Sequence, residues 1–326
     1  MHPITVSRAA SSNRLHRDRT TSTAALLFLV AAVAAGCGPS FDPPSLIEST
    51  RVVGARVEVV GDANRASPAP GEAATVTWLL AAAGPMPAIG WAFALCAPGA
   101  PGALSCDGAP IAIYQGSENP PRIALSVPDA AAIGDAKSLI LYGRICVGSA
   151  PDLDPSTGAP ACADGGPGTT AAVAIAVQAT GDDPNHNPVA DRGITIDGQP
   201  WAALPAGVDA CAFGPRFSAG TDDHVIAVAT AAGDRESYTT LFGDPPVPTA
   251  LREGLQISHF TTAGKLKSPY SFIEGDAGDD APAAQVKWSA PRAADLSGAT
   301  VVPFRFVVRD SRGGVDWTVR ELCVTL

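Results

Sequence analysis

Short apolar runs of alternating polarity recur along the chain after residue 50, and turn-forming Gly, Pro, Asp and Ser residues separate them. Side chains alternate between the two faces of a strand, so the run RVVGARVEVV (51–60) predicts a strand with one apolar face, made by Val53, Ala55, Val57 and Val59. Similar runs in the first half are EAATVTWLLAA (72–82), IGWAFALCA (89–97), PRIALSVP (121–128), SLILYGRICVG (138–148) and TAAVAIAVQA (170–179). Strands of this length and spacing predict a β-sandwich.

The second half continues the pattern, with apolar segments at 193–198, 224–231, 255–264, 284–291 and 301–326. Charged residues make up 17 % of the chain, and it holds 33 Gly and 30 Pro, which suits strands and turns better than salt-bridged surface helices. We therefore expect an all-β fold with two antiparallel β-sandwich domains in tandem, at 49–179 and 192–326. The polar, aperiodic segment TGDDPNHNPVAD (180–191) predicts the linker between them, in which His186 should be solvated.

The first 36 residues have the three parts of a secretory signal. Four Arg residues precede a 12-residue apolar stretch, AALLFLVAAVAA (24–35), and small residues then lead into Cys37. A helix that spans a bilayer needs about 20 apolar residues, so this stretch is too short to be a permanent span. We predict that residues 1–36 form a signal peptide.

The segment Ala34-Ala35-Gly36-Cys37 resembles the lipobox of bacterial lipoproteins, with Ala34 where that family usually carries a branched aliphatic residue. The resemblance implies that Cys37 receives diacylglycerol on its sulfur and becomes the first residue after cleavage. Residues 37–48 would then be the lipidated Cys and a proline-rich tether. Gly38 after the Cys implies the outer membrane by the sorting rule of that family.

The second half is similar to bacterial Ig-like and PKD-like modules at three places: NPVAD (187–191), VKWSAP (286–291) and FRFVVRDSRGGVDW (304–317). The first half has a general Ig-like character in PGEAATVTW (70–78). Tandem domains of this kind behind a lipobox resemble uncharacterised lipoproteins of high-GC Gram-negative bacteria. The resemblance implies a fold and a location, and it carries no activity.

Seven cysteines leave an even six once Cys37 is assigned to lipidation. An even number of cysteines in an oxidising compartment predicts disulfides. The competing interpretation is metal binding, but the sequence contains no Cys-x-x-Cys and no other zinc spacing. Position at strand ends favours Cys96–Cys106 with Cys146–Cys162, and the alternative is Cys96–Cys146 with Cys106–Cys162. Cys211 would pair with Cys323 and close a long loop, which contributes about 4–5 kcal/mol in the chain-entropy model.

The chain carries a net charge of −10, and removal of residues 1–36, with four Arg and one Asp, makes the remainder more acidic. An acidic surface repels phosphate backbones, which argues against nucleic-acid binding. The sequence holds no Gly-x-Ser-x-Gly, no His-Glu-x-x-His, no phosphate-binding loop and no dinucleotide motif. We therefore expect no catalytic residue and no cofactor.

The expected partners are the membrane, through the lipid, and an envelope protein or a glycan. The alternative is an envelope hydrolase or carbohydrate-active enzyme whose site lies in the loops of 199–283.

Two further local features are candidates for binding. The acidic loop IEGDAGDDAP (273–282) carries Glu274, Asp276, Asp279 and Asp280, whose carboxylate oxygens are of the kind that bind Ca²⁺. These four residues are calcium candidates, but our main expectation is that the chain binds no metal. The run RDSRGGVDW (309–317) predicts a hairpin whose glycines take positive φ and whose Asp310 bonds turn amides, and it is also a candidate glycan or peptide contact. Trp201 lies in a loop-like context that permits exposure, and the His259 ring is expected at a sheet surface.

Overall fold

The computed structural model describes residues 43–98, 106, 108–134, 136–154, 156–220, 222–278 and 283–326. These residues are all-β with sandwich-like sheets, as the strand patterns predict, and the strand pairing is antiparallel except where Arg216–Ser218 runs parallel to the C-terminal strand. Two short helices, α1 (Ala130–Ile133) and α2 (Ala210–Phe213), and three 3₁₀ turns (Ala163–Gly165, Ala232–Asp234 and Ala293–Asp295) complete the secondary structure of this part of the chain. Within the same ranges, no helix has the length and apolar character that crossing a bilayer requires.

The first half contains two main sheets around one apolar core. Their strands are β1 (Arg51–Val59), β2 (Ala73–Ala81), β3 (Ile89–Cys96), β4 (Ala112–Gly116), β5 (Arg122–Ser126), β6 (Ser138–Val147), β7 (Pro151–Leu153), β8 (Pro160–Cys162) and β9 (Gly168–Ala176). One sheet has the order β1-β2-β5, the other β4-β3-β6-β9, and β7 and β8 form a separate pair. Trp78 from the first sheet stacks on Phe93 from the second at 4.8 Å between ring centroids, so the sheets pack face to face.

The second half builds a second core between two five-stranded sheets. Its strands are β10 (Ile194–Ile196), β11 (Gln199–Pro200), β12 (Arg216–Ser218), β13 (Asp223–Val228), β14 (Ser237–Phe242), β15 (Val247–Arg252), β16 (Leu255–Thr261), β17 (Lys265–Leu266), β18 (Tyr270–Ile273), β19 (Ala284–Ser289), β20 (Thr300–Asp310) and β21 (Val315–Thr325). The sheet orders are β11-β10-β13-β19-β17 and β12-β21-β20-β16-β18, and β14 pairs with β15 in a two-stranded sheet of their own.

Trp201 is a buried core residue, although its loop-like sequence context would have permitted exposure. The side chain is 1 % exposed, packs edge-on against Phe304 at 5.2 Å, and donates its indole N–H to the Glu321 carbonyl at 3.0 Å. The preceding turn at Asp197-Gly198, both with positive φ, folds the short β11 back along β10. A two-residue strand leaves no periodicity for sequence analysis to detect.

The expected surface position of the His259 ring is wrong, because the residue lies inside the second core. His259 is 0 % exposed, its Nε2 contacts the Ser271 hydroxyl at 3.0 Å, and its ring packs against Phe306. Burial lowers the pKa of His259 to about 4, since desolvation disfavours the charged imidazolium. A neutral histidine therefore takes a place on this strand that an apolar residue would usually fill.

The two halves belong to one compact unit that covers residues 43–326, and they share a small apolar cluster. A bulge in β1 shifts the register between Val52 and Gly54, and it turns Val53 away from the first core. Val53 then packs with Ile47 and Phe260, in contrast to the single apolar face predicted for β1. Arg309 of β20 closes this contact by donating to the Val53 carbonyl at 2.7 Å.

The buried His259 predicts a loss of stability in acid. Above pH 6.5 the imidazole is neutral in the folded and unfolded states alike, and below this pH the unfolded chain alone takes up the proton until about pH 4. Lowering the pH from 7 to 4 should therefore cost on the order of 3 kcal/mol from this residue. Urea titrations across this range should show the loss in the wild type and lack it in His259→Gln.

The comparison with His259→Gln is needed because Glu253 and Asp310 have raised pKa values and act in the opposite direction. Their protonation in the folded state favours stability as the pH falls, and it contributes equally to both proteins. Identical pH profiles for the wild type and His259→Gln would contradict the assignment.

Candidate functional site

The segment 180–191 lies at the junction between the two cores, where Asn185 and Asn187 are buried and His186 between them is partly buried. Asn187 is 8 % exposed, and its side chain bridges both halves of the molecule. Its amide donates to the Val57 carbonyl of β1 at 2.8 Å, and its Oδ1 accepts from the Val315 N–H of β21 at 2.9 Å. One amide thereby satisfies backbone groups of two sandwiches.

Asp316 makes a second bridge beside Asn187. One carboxylate oxygen accepts from Arg56 of β1 at 2.6 Å, and the other accepts from the Ala190 N–H at 2.9 Å. The side chains of Arg56 and Asp316 are 21 % and 18 % exposed, so this ion pair is partly shielded from water. Trp317, the next residue of β21, lies beside Gly54 across the same contact.

Arg312 holds the other end of the junction. Its Nε bonds Glu253 Oε1 at 2.5 Å, and its Nη2 bonds Glu236 Oε2 at 2.7 Å. The guanidinium also donates to the Asp183 carbonyl at 3.1 Å and lies over the Tyr238 ring at 4.8 Å from the centroid. A single side chain in the β20–β21 turn therefore connects segment 180–191 to the base of the β14–β15 hairpin.

The β20–β21 turn has the predicted hydrogen bonds. Asp310 Oδ1 accepts from the N–H groups of Arg312 and Gly314, both at 2.8 Å, so the prediction that Asp310 bonds turn amides is confirmed. Gly313 has φ +106° as predicted, but Gly314 does not take positive φ, so the prediction is wrong for the second glycine. Gly314 is required for a different reason: a Cβ there would collide with Asp310 Oδ2 and lie 2.8 Å from the His186 carbonyl.

Two carboxyl groups at this turn have perturbed acidity. Burial raises the pKa of Glu253, which is 0 % exposed, and the nearby negative charge of Asp310 raises it further against the opposing effect of Arg312. Burial also raises the pKa of Asp310, while the turn amides pull it down. The Asn185 amide is close enough to Asp310 to lower its pKa, yet neither amide atom forms a hydrogen bond of normal geometry.

Next to this cluster lies an elongated depression, which we name the junction groove. It consists of two adjoining cavities of about 410 and 430 Å³ that share Lys137, Val177, Gln178 and Asp182. One cavity extends to segment 182–185, β14 and Arg312, and the other to α1 and Pro70. Its walls therefore come from the first core, from segment 180–191 and from the second half.

A larger cavity of about 720 Å³ lies elsewhere, between Leu46, Gly264 and Leu296. Two of its charged lining residues, Arg292 and Asp295, pair with each other at 3.0 Å, and a third, Lys267, pairs with Asp223 outside the cavity at 3.3 Å. We place the candidate site in the junction groove, because perturbed carboxyl groups and groups from distant parts of the chain meet beside it.

The described part of the acidic loop is organised around an arginine. Arg235, 2 % exposed, donates to the backbone carbonyls of Glu274, Ala277 and Gly278 at 2.8–3.0 Å. Asp279 and Asp280 of the calcium hypothesis lie outside the described residues, while Glu274 and Asp276 lie within them. Among the described residues, no group of three or more His, Cys, Asp or Glu side chains could hold a metal ion.

The other two histidines of the described residues form local pairs. His186 Nδ1 lies 2.5 Å from Glu236 Oε1, so this side chain is part of the Arg312 cluster. His224 Nδ1 lies 2.7 Å from Asp197 Oδ2, and its ring packs on Phe217. Both contacts orient imidazoles through carboxylates of the fold.

The cysteines of the described chain are structural. Cys96 pairs with Cys106, Cys146 with Cys162, and Cys211 with Cys323, which is the set that strand-end position favours. The last pair joins α2 to β21 across 112 residues of sequence. Cys37, the predicted lipidation site, lies outside the described residues.

No local sequence pattern marks the residues of the junction groove. Lys137, Gln178 and Tyr238 come from three distant segments, and no local motif joins them. No family model and no curated protein matches this chain.

The neighbouring asparagines of segment 180–191 provide a matched test of the junction. Asn187→Ala leaves the Val57 carbonyl and the Val315 N–H without their shared partner, and it should lower the free energy of unfolding by about 2–4 kcal/mol. Asn185→Ala removes an amide without a normal hydrogen bond, and it should cost less than about 1 kcal/mol. Chemical denaturation of both variants measures the difference. Equal losses would contradict a bridging role for Asn187.

Proposed function

We propose that this chain is a lipid-anchored protein of the bacterial cell envelope, in the outer membrane, and that it acts as a non-enzymatic binding module. The anchor would be diacylglycerol on Cys37. Each buried CH₂ contributes about 0.8 kcal/mol, so two or three acyl chains hold a protein firmly where one does not. The signal-like residues 1–36 and the lipobox-like Ala34–Cys37 support this part of the proposal.

The observation that carries the binding function is the construction of the junction groove. Segments that are far apart in sequence form its walls. Arg312 joins segment 180–191 to the β14–β15 hairpin, and Asn187 fixes the same segment to β1 and β21. A preorganised cleft loses little entropy when a ligand binds, which is what a binding module requires.

The position of the groove also suits an anchored protein. The first described residues lie at one end of the junction, where the Ile47 N–H donates to the Thr261 carbonyl at 2.8 Å. The groove lies at the other end of β1, beyond Val59 and Arg65. Nine strand residues span about 30 Å. The groove would therefore be presented away from the bilayer.

The alternative function is an envelope hydrolase or carbohydrate-active enzyme. The raised pKa values of Glu253 and Asp310 favour it, since catalytic acids are often tuned in this way. However, both oxygens of Glu253 accept bonds from the fold, from Arg312 and from the Glu236 N–H. We rank this function second, because an acid with both oxygens engaged is poorly placed to reach a substrate. Glycan hydrolysis by the wild type that is lost in Glu253→Gln would reverse the ranking.

The lipid anchor predicts labelling at a single residue. Cells that express the wild-type chain and are fed an alkyne fatty acid should yield labelled protein, and Cys37→Ser should abolish the label because the acyl acceptor is removed. Gel fluorescence after click chemistry measures it. No label in the wild type, or label retained in Cys37→Ser, would refute the anchor.

The binding function predicts a crosslink that depends on position. A photoreactive amino acid in place of Ala179, an exposed residue of the groove, should crosslink to an envelope component in living cells. The same group in place of Lys287, exposed on the outer face of β19, serves as the matched control. Equal crosslinking at both positions, or none at either, would contradict a ligand in the groove.

A further inference from the structure

One wall of the junction groove is the edge of a strand. β14 pairs with β15 in a two-stranded sheet, so its other edge has no strand partner within the described chain. Thr239, Thr240 and Leu241 of β14 line the groove. Leu241 is 66 % exposed. Unpaired strand edges are templates for an additional strand.

The register of the hairpin shows which backbone groups face outward. The Glu253 N–H donates to the Glu236 carbonyl at 2.9 Å, so this pair is hydrogen-bonded and the pairing alternates from there. Thr239, opposite Ala250, is thus a position whose N–H and carbonyl point away from β15. The Thr239 N–H indeed donates to the Asp183 carboxylate at 3.1 Å.

The two edges of the hairpin are protected unequally. On β15 the outward position opposite Leu241 is Pro248, which has no N–H and blocks strand addition. On β14 no proline occurs between Ser237 and Phe242. The Asp183 carboxylate accepts from the Thr239 N–H, where the carbonyl of another strand would otherwise accept. Rotation of the Asp183 side chain would free this N–H for a new strand, whereas Pro248 has no N–H to offer.

The chemistry of the groove favours a peptide over a glycan. Sugars bind proteins largely by stacking on free aromatic faces, and the aromatic ring of this groove, Tyr238, already carries the Arg312 guanidinium. The second cavity instead offers apolar contacts from Pro70, Ile133 and Val177 for alternate side chains of a strand. Lys137 is exposed and makes no ion pair with any described residue, so it is complementary to an acidic side chain.

We propose that the junction groove captures an extended peptide segment, with apolar side chains and an acidic residue, by adding it as a strand to the open edge of β14. The inference rests on the proposed binding function and names its ligand class. The peptide carbonyl would replace the Asp183 carboxylate on the Thr239 N–H, and the acidic residue would pair with Lys137.

The test uses the full-length protein in detergent and a displayed library of short, unconstrained peptides. Sequences enriched on the wild type are synthesised, and their affinities are measured by fluorescence anisotropy. Thr239→Pro removes the outward N–H of the open edge and should weaken binding about tenfold or more. Ala250→Pro removes the corresponding outward N–H from the edge of β15, which Pro248 already protects, and it should leave the affinity for the peptide unchanged. Thermal melts of both variants check that the hairpin is retained.

Peptides methylated on alternate backbone nitrogens give a second readout that changes nothing in the protein. Methylation at the positions that pair with β14 should abolish binding, and methylation at the intervening positions should have little effect. Equal affinities for wild type and Thr239→Pro, or no alternation with methylation, would overturn strand addition. Concentration-dependent dimers that Thr239→Pro abolishes would also overturn it, since the occupant would then be a second copy of the chain.

The two proposals fail in different ways. If the Ala179 crosslink forms with a glycan, the binding function stands and the peptide inference fails. If no crosslink forms at Ala179 and no peptide is enriched, both fail.

Discussion

The junction depends on the two hydrogen bonds by which the Asn187 side chain joins β1 to β21. A buried amide is costly unless its groups are bonded, and in this protein its donor and its acceptor are satisfied by different sandwiches. The geometry therefore requires β1 and β21 to lie at a fixed separation. Asp316 repeats the arrangement with Arg56 on one side and segment 180–191 on the other. Polar bridges of this kind define a register that apolar packing alone does not.

The contacts of Asn187 and Asp316 determine where the segments beside the junction groove lie. Since segment 180–191 is held on both sides, Asp183 and Asn185 have defined positions beside the Arg312 cluster. Arg312 in turn connects Glu253 and Glu236 at the base of the β14–β15 hairpin. Burying these charges stabilises little in itself, because desolvation offsets much of the attraction. The ion pairs fix the base of the hairpin, and the open edge of β14 lines the groove.

Much of the fold follows from local patterns in the sequence. Alternation predicted the main strands of both cores and missed others, among them β4, β14 and β15. Parity and strand-end position favoured the disulfide set that the structure contains, and Asp310 with Gly313 marked the β20–β21 turn. Local patterns failed where tertiary contacts decide. Val53 follows the alternation of β1, yet a bulge turns it to the second half. His259 occupies an apolar position, and Trp201 follows a strand of two residues. The groove had no sequence signal, since its walls meet through pairing over long sequence distances.

Calorimetry of the full-length protein tests most directly whether the junction unites the two cores. If the bridges of Asn187 and Asp316 couple them, thermal unfolding should give a single transition whose calorimetric and van't Hoff enthalpies agree. Two resolved transitions, one for each core, would show that the sandwiches unfold independently. A junction that loose would not hold the walls of the groove in place, which would contradict both the coupling of the cores and the preorganised binding cleft.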